Sequence, residues 1–200
     1  MRKLVLTEYL SLDGVMQAPG HTDEDNEGGF AHGGWTGPQM RDHRRLNDQA
    51  FSRAGAFLLG RRTYEIFARY WPTVTDESDE IALALNDRPK YVASQTLREA
   101  TWEGTTIIRD VPRAIVDLKK EPGRPILVVG SSRLAQTLIE HDLVDTYELW
   151  LHPVLLGSGK RLFHQRSPRV DLELMESRST PSGLVVLTYE RRETASTAAV

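Results

Sequence analysis

The chain has 200 residues, of which 40% are hydrophobic and 26% are charged, and its formal net charge is −3. These values predict a soluble, globular, single-domain protein, and without a basic excess they argue against a nucleic-acid-binding surface. Because the sequence contains no cysteine, thiol nucleophiles, disulfides, iron–sulfur clusters and cysteine-based zinc sites are excluded. The sequence shows no signal-peptide pattern and no apolar run near the roughly 18 residues of a membrane span, so we expect a cytoplasmic protein.

The first predicted strand runs from Lys3 to Leu10. Its apolar start, Leu4-Val5-Leu6, does not alternate with polar residues and is typical of a strand that is covered on both faces. Asp13-Gly14 follows at the carboxyl end of this strand. Residues 17–37 then carry several glycines and an acidic cluster without a usable period. Connections of this length inside a compact domain are usually lids or binding loops, so we predict a functional loop here.

A helix is predicted after this loop. Thr36 and Gln39 have the spacing of a capping box. One helix face is then marked by Met40, His43, Asn47, Ala50, Phe51 and Ala54. His43 on this face is more often a packed or hydrogen-bonded residue than a catalytic base. Trp35 either lines a ligand pocket or packs at the entry of the helix.

The segment from Ala56 to Trp71 predicts a strand, a tight turn at Gly60 and a helix. Arg61 and Arg62 fall in the first turn of that helix, where the macrodipole and the free backbone N–H groups favour negative charge. A phosphate bound by these N–H groups, the two guanidinium groups and the Thr63 hydroxyl would resolve the conflict. A pair of surface arginines that point into water is the alternative interpretation.

Strands and helices then alternate up to about residue 144. The predicted elements are a weak helix at Asp76 to Asn86, strands at Lys90 to Ala93 and Thr105 to Ile108, a helix capped by Asp110, a strand at Ile126 to Val129, and a helix after Ser132. Beyond Asp145 the helical period stops, and antiparallel strands are predicted at Tyr147 to Leu156, Val170 to Ser177 and Leu184 to Arg191. We expect one domain over residues 1–193 and a disordered tail over residues 194–200.

These elements predict an α/β fold, with a mixed but mostly parallel sheet, helices on both faces and an antiparallel C-terminal hairpin. In such sheets, ligands bind beyond the carboxyl ends of the strands. Four polar segments fall at that edge, namely Asp13-Gly14, Gly60 to Thr63, Ser94 to Thr96, and Gly130 to Ser132. The sequence therefore predicts one shared anion site.

Two other motifs are weaker. Asp23, Asp25 and Glu27 follow the start of a calcium loop, but Gly34 stands where the bidentate glutamate is required, so we expect the rim of a lid and no metal site. The segment Gly157 to Arg161 matches only part of a phosphate loop, and a glycine-rich turn or bulge is favoured over a contact to a substrate anion.

Several segments in order resemble the dihydrofolate reductase-like superfamily. They are Ser11 to Val15, Gly33-Gly34-Trp35, Leu58 to Glu65, Lys90 to Ser94, Gly130-Ser131, Leu143 to Asp145, and Pro153 to Phe163. The chain is most similar to stand-alone proteins related to the C-terminal reductase domain of the bifunctional deaminase-reductase of riboflavin biosynthesis. The resemblance implies a three-layer sandwich and an NADPH-dependent reductase, commonly homodimeric. Its substrate would be a small heterocycle, pterin- or pyrimidine-like, or a carbonyl or imine compound.

The resemblance also implies roles for individual residues. Gly60 to Thr63 and Gly130 to Ser132 would hold the pyrophosphate of NADPH from opposite sides, and Ser94 and Thr96 would lie along the adenosine ribose and its 2'-phosphate. Arg62 would supply the charge that prefers NADPH to NADH. The cofactor residues implied are Gly60, Arg61, Arg62, Thr63, Ser94, Thr96, Gly130, Ser131 and Ser132. The loop Ser11 to Met16 would face the nicotinamide, and the substrate residues implied are Trp35, Met40 and His43.

The proton donor is the least determined part of this interpretation. Asp13 would relay a proton if an apolar wall raised its pKa, and the alternative is that Asp13-Gly14 only shapes a turn. The acid that protonates the pterin in dihydrofolate reductases has no secure counterpart, and Asp42 is only a loose candidate. A second hypothesis is therefore an inactive NADP(H)-binding sensor or interaction protein. We expect a small-molecule substrate and no nucleic-acid or membrane partner.

Overall fold

The computed structural model describes residues 1–164 and 167–192, so the predicted tail at 194–200 lies outside the described residues. Within these ranges, helices and strands follow in the order β1 Leu4–Ser11, α1 Met40–Arg53, β2 Ala56–Gly60, α2 Arg61–Tyr70, α3 Glu80–Asp87, β3 Lys90–Ala93, β4 Thr105–Ile108, α4 Val111–Lys120, β5 Ile126–Val129, α5 Ser132–Glu140, β6 Thr146–His152, β7 Leu172–Ser179 and β8 Val185–Arg191. Short 3-10 turns lie at Glu27–Gly29, Gly37–Gln39 and Trp71–Thr73. None of the helices in the described ranges is long and apolar enough to cross a membrane.

The strands form one eight-stranded sheet in the order β4-β3-β2-β5-β1-β6-β8-β7. Neighbours from β4 to β6 are parallel, whereas β8 is antiparallel to both β6 and β7. The predicted mixed sheet with an antiparallel C-terminal hairpin is confirmed. Because β2, β3, β5 and β1 are parallel neighbours, the turns that follow them meet at one edge of the sheet.

Helices cover both faces of the sheet and make three layers. On one face, Leu6 of β1 belongs to the same buried cluster as Ile115 of α4 and Leu138 of α5. On the other face, Phe57 of β2 lies in a cluster with Phe51 of α1 and with α3 residues. Burial of apolar surface on both sides explains why the central strands are apolar without alternation.

Three local predictions need correction. The Thr36 side chain does not cap a helix but donates a hydrogen bond to the Pro19 carbonyl oxygen (2.7 Å). The helix predicted from Asp76 begins later, at Glu80, because the Asp79 carboxylate accepts hydrogen bonds from the first free N–H groups. Strand β6 ends at His152 and not at Leu156, since Pro153 has no N–H for the ladder.

The long loop at residues 17–37 has a small core of its own. Ala18, Phe30 and Trp35 are buried together with Val15. The Trp35 indole N–H donates to the Gln17 carbonyl oxygen (2.8 Å). This packing holds the loop against the end of β1. The sequence did not predict this core, and the function of the loop stays a prediction.

Glu8 is a buried carboxyl group in the middle of β1. Its side chain is 3% exposed, and its Oε1 atom has no hydrogen-bond partner among the described residues. Burial raises the pKa of Glu8 well above its usual value. The folded state therefore binds a proton more strongly than the unfolded state, and this contribution to stability is lost as the pH rises above the unfolded-state pKa of about 4.3.

We expect Glu8→Gln to stabilise the protein more at pH 8 than at pH 5, because the amide cannot ionise. The increase in Tm caused by the substitution should be about 2–4 °C larger at pH 8 than at pH 5, which corresponds to roughly 1 kcal/mol in a protein of this size. Thermal unfolding followed by circular dichroism measures it, with the exposed Glu77→Gln as control. Equal effects of Glu8→Gln at both pH values would show that Glu8 has an ordinary pKa.

Candidate functional site

A cavity of about 1160 Å³ lies at the carboxyl edge of the parallel strands. Its lining includes the turns that follow β2, β3 and β5. All nine residues that the resemblance assigned to the cofactor line this one cavity, namely Gly60, Arg61, Arg62, Thr63, Ser94, Thr96, Gly130, Ser131 and Ser132. The predicted convergence of these turns is thus present, and their role in binding a cofactor stays a prediction.

The turns after β2 and β5 are joined by one side chain. The Ser131 hydroxyl oxygen accepts a hydrogen bond from the Gly60 backbone N–H (2.8 Å), and the same hydroxyl donates to Thr63 Oγ1 (2.8 Å). A Cβ atom at Gly60 would lie 2.9 Å from Ser131, so only glycine fits without a shift. Ser131 itself has a left-handed backbone (φ 72°), a strained conformation that often marks functional sites.

The helices that begin at these two turns have uncapped N-termini. Helix α3, which starts away from the cavity, is capped by the carboxylate of Asp79, and helix α4, whose first residue Val111 lines the cavity, is capped by Asp110. No described side chain caps α2 or α5, and neither helix has an acidic residue in its first turn. Two sets of free backbone N–H groups and two positive dipole ends therefore lie side by side at the cavity, which is the arrangement that binds phosphate.

Two arginines reach the loop after β3. Arg61 donates a hydrogen bond to the Thr96 hydroxyl and pairs with Glu65 at 2.7 Å. Arg109, which directly follows β4, donates to the carbonyl oxygens of Ser94 and Leu97 and also lines the cavity. No carboxylate of the described residues forms an ion pair with Arg109. Sequence reasoning missed this residue, although its place after a parallel strand was a usable signal.

Loop residues Asp25 and Glu27 contact the cations of the cavity. Arg62 pairs with Asp25 at 2.5 Å, and Arg133 pairs with Glu27 at 3.1 Å. Lys160 contacts both carboxylates, at 2.6 Å and 2.7 Å. The expected lid rim is therefore fixed to the cavity by ion pairs, and the Arg62 side chain is directed to the loop and not to Thr96.

One part of the cavity lining, the aromatic wall, consists mainly of aromatic side chains. It is formed by α1, α2, the turn at Trp71 and the end of β1, through Tyr9, Met40, Asn47, Phe51, Phe67, Tyr70 and Trp71. The Tyr9 hydroxyl donates a hydrogen bond to Asn47 Oδ1 (2.8 Å). Burial raises the pKa of Tyr9 above its usual value, so this phenol stays protonated at physiological pH. The wall suits a flat, largely apolar molecule with a hydrogen-bonding edge.

His43 and Trp35 lie behind this wall and are absent from the cavity lining, whereas Met40 is part of it. The His43 ring stacks on Tyr9 with centroids 4.7 Å apart, and His43 Nε2 lies 2.6 Å from Nε2 of His152. Burial and the neighbouring His152 lower the pKa of His43 to about 4. His43 is thus a neutral packing residue that supports Tyr9, in line with the packed interpretation of its sequence position.

Neither candidate acid lines the cavity. Asp13 accepts hydrogen bonds from the Ser11 hydroxyl (2.6 Å) and from the N–H groups of Leu156 (3.1 Å) and Gly157 (2.9 Å). These bonds, above all the one from Ser11, hold the pKa of Asp13 well below its usual value. The raised pKa that a proton relay would require is therefore not found, and the contacts favour the turn-shaping interpretation. Asp42 accepts a hydrogen bond from Ser182, which lowers its pKa.

We expect Asp13→Asn to lower the Tm at pH 7 by about 2–4 °C, the size expected for the loss of one hydrogen bond. The new amide would place N–H donors against the N–H of Gly157 or Leu156. Because the folded-state pKa of Asp13 is depressed, its contribution is present above the unfolded-state pKa of about 3.9 and is lost as the pH falls below it. The decrease in Tm caused by Asp13→Asn should therefore be smaller at pH 3 than at pH 7. An unchanged Tm together with lost turnover would instead support a proton relay.

Comparison with known proteins finds one matching family model and two sequence relatives. The family model of the RibD C-terminal domain matches residues 2–186. In Bacillus subtilis (strain 168), the uncharacterized protein YyaP is 34% identical over 134 residues, which cover 66% of this chain and 71% of YyaP. The uncharacterized protein YwjB of the same organism is 30% identical over 118 residues, or 58% of this chain and 63% of YwjB.

Two solved structures share the architecture. A putative riboflavin biosynthesis protein from Shewanella sp. PV-4 superposes with a TM-score of 0.64 at 20% identity, over 96% of this chain and 99% of that one. A pyrimidine reductase-like protein from Corynebacterium diphtheriae gives a TM-score of 0.61 at 14% identity, over 96% and 93% of the two chains. These likenesses confirm the predicted dihydrofolate reductase-like α/β sandwich.

Proposed function

Since the chain belongs to the family of the RibD C-terminal domain, we propose that it is a reductase that uses NADPH to reduce a small heterocyclic (pterin- or pyrimidine-like) or carbonyl/imine substrate. The observation that carries this proposal is the pair of uncapped helix starts, joined through Ser131, in one cavity with several arginines. The name of the Corynebacterium diphtheriae relative, a pyrimidine reductase-like protein, agrees with a reductase-type function.

The residues at the two helix starts fit a diphosphate. The first N–H groups of α2 and α5 would donate to its oxygens, and the hydroxyl groups of Thr63 and Ser132 lie in the same lining. Gly60 and Gly130 keep the two turns close, because a Cβ at Gly60 would strike Ser131 and Gly130 has a φ of 58°. A single diphosphate would thus satisfy both helix ends at once.

The arginines at the loop after β3 fit a second phosphate. We assign the 2'-phosphate of NADPH to Arg61 and Arg109, which contact Thr96 and Ser94. Arg62, which the resemblance suggested for this role, is instead engaged by Asp25. Arginine suits this task because its planar fork donates two parallel hydrogen bonds to a phosphate.

NADPH, when bound, supplies the hydride, and the residues of the chain position the substrate and exclude water. The aromatic wall around Phe51, Phe67 and Trp71 would cover one face of a flat substrate. Tyr9 would accept a hydrogen bond from the substrate edge, since its one hydroxyl proton is donated to Asn47, and its raised pKa keeps that proton in place. Asp13 is ionised and His43 is neutral at physiological pH, so neither is in the protonation state of a general acid.

Fluorescence titration with NADPH and NADH, followed by NADPH oxidation assays with dihydropterins, riboflavin precursors and quinones, tests this function. Oxidation of NADPH with one of these substrate classes is the expected result. Binding without oxidation of NADPH would favour the inactive sensor. No binding of either dinucleotide would contradict both proposals.

We expect Arg109→Gln to weaken NADPH binding about tenfold, which corresponds to the loss of one charge-assisted hydrogen-bonded contact. NADH lacks the 2'-phosphate, so its dissociation constant should stay within about twofold. Arg98→Gln is the matched control, because Arg98 is exposed and lies outside the cavity lining. Equal losses for both dinucleotides would contradict the assignment of Arg109 to the 2'-phosphate.

The resemblance further supports a homodimer in the cytoplasm, and we include both in the proposal. Sedimentation equilibrium of the purified protein tests the oligomeric state, with twice the monomer mass as the expected result.

A further inference from the structure

Several contacts fix the position of residues 25–27, which form the acidic tip of the loop. The Gln17 side-chain amide donates hydrogen bonds to the carbonyl oxygens of Asp25 (3.0 Å) and Glu27 (2.9 Å). The other end of the same amide, Gln17 Oε1, accepts a hydrogen bond from the Lys160 backbone N–H (2.9 Å). Gln17 is buried, and its carbonyl oxygen accepts a hydrogen bond from the indole N–H of Trp35, a member of the loop core. The tip is therefore held at Lys160 through its backbone, independently of its carboxylates.

The carboxylates of this tip form ion pairs with cationic side chains from three separate parts of the chain. Arg62 comes from the start of α2, Arg133 from the start of α5, and Lys160 from the segment after β6. All three line the cavity together with Asp25 and Glu27. Two carboxylates on three cations leave one net positive charge at a place where the cations alone would attract a polyanion.

The solvent exposure of these ion-paired side chains shows which ion pairs a phosphorylated ligand can displace. Asp25 is 13% exposed and Lys160 is 25% exposed, so this pair is largely shielded. Glu27 is 49% exposed, and its partner Arg133 is 84% exposed. Ion pairs this open to water contribute little to stability. A phosphate, which carries more charge and more acceptor oxygens than a carboxylate, can replace Glu27 at Arg133 and Lys160 without unfolding the loop.

We propose that Glu27, assisted by Asp25, is a built-in competitor anion that occupies part of the phosphate-binding surface and sets the affinity of the cavity for phosphorylated ligands. The Glu27 carboxylate must leave Arg133 and Lys160 when a diphosphate binds, and it returns when the diphosphate leaves. This inference rests on the proposed function, since it concerns the same cavity. The competition makes release of the dinucleotide easier, because the returning Glu27 carboxylate takes the place of the phosphate at Arg133 and Lys160.

Glu27→Gln tests the competition, because it removes the charge but keeps the backbone hydrogen bond to Gln17. We expect the variant to bind NADPH and inorganic pyrophosphate about threefold to fivefold more tightly than the unmodified protein, as measured by calorimetry at low salt. The matched control is Asp23→Asn, which makes the same change in charge in the same loop. Asp23 is exposed and forms no ion pair among the described residues, so this control should bind both ligands like the unmodified protein.

The two probes separate failure of the inference from failure of the proposed function. Tighter binding of pyrophosphate to Glu27→Gln, with no binding of NADPH to any variant, would support the competitor anion and contradict the reductase. Unchanged or weaker binding of pyrophosphate to Glu27→Gln would overturn the inference, whether or not NADPH binds. Equal tightening in Asp23→Asn would overturn it as well, because the effect would then reflect net charge alone.

Discussion

Two helices of this protein begin side by side with backbone N–H groups that no side chain caps. Parallel strands bring them together, since β2 and β5 are neighbours in the sheet, and the Ser131 hydroxyl bonds the first turn to the second. Helix α3, which starts away from the cavity, is instead capped by the carboxylate of Asp79. Helices α2 and α5 have neither a side-chain cap nor an acidic residue in the first turn, so a bound anion would take the place of a capping side chain there.

The rest of the cavity follows from this arrangement. Positive dipole ends and arginines at one edge of the sheet repel one another, and the acidic tip of the loop at residues 17–37 offsets part of that repulsion. The loop can do so because it carries its own small core and a buried glutamine, and so it does not depend on a ligand for its shape. The aromatic wall supplies the apolar part of the same lining, against which a flat molecule can replace water. One cavity thus offers both charge and apolar surface, as a dinucleotide and a small planar substrate together require.

Much of the fold could be predicted from the sequence because its signals are local. Strands β3, β4 and β5 have the bounds that their short apolar runs predict, and the Asp110 cap sets the start of α4. The joint position of Gly60 and Ser131 was also predictable, because parallel strands place their following turns at one edge. Thr36 was misread as a cap because its hydroxyl bonds to Pro19 across the loop, a contact between distant backbone segments that no spacing rule describes. The environments of Asp13 and Arg109 likewise depend on contacts between segments that are distant in the sequence. The pKa of Asp13 is lowered first by the nearby Ser11 hydroxyl, but also by N–H groups more than 140 positions away along the chain. That Arg109 has no carboxylate partner among the described residues is visible only once the partners of the other arginines are known.

A crystal structure of the protein grown with NADPH would test the central claim most directly. We predict a diphosphate between the two helix starts, within hydrogen-bond distance of the backbone N–H groups of Thr63 and Ser132, and a 2'-phosphate at Arg61 and Arg109. A dinucleotide bound elsewhere on the protein, or a cavity without dinucleotide density at saturating NADPH, would contradict this account.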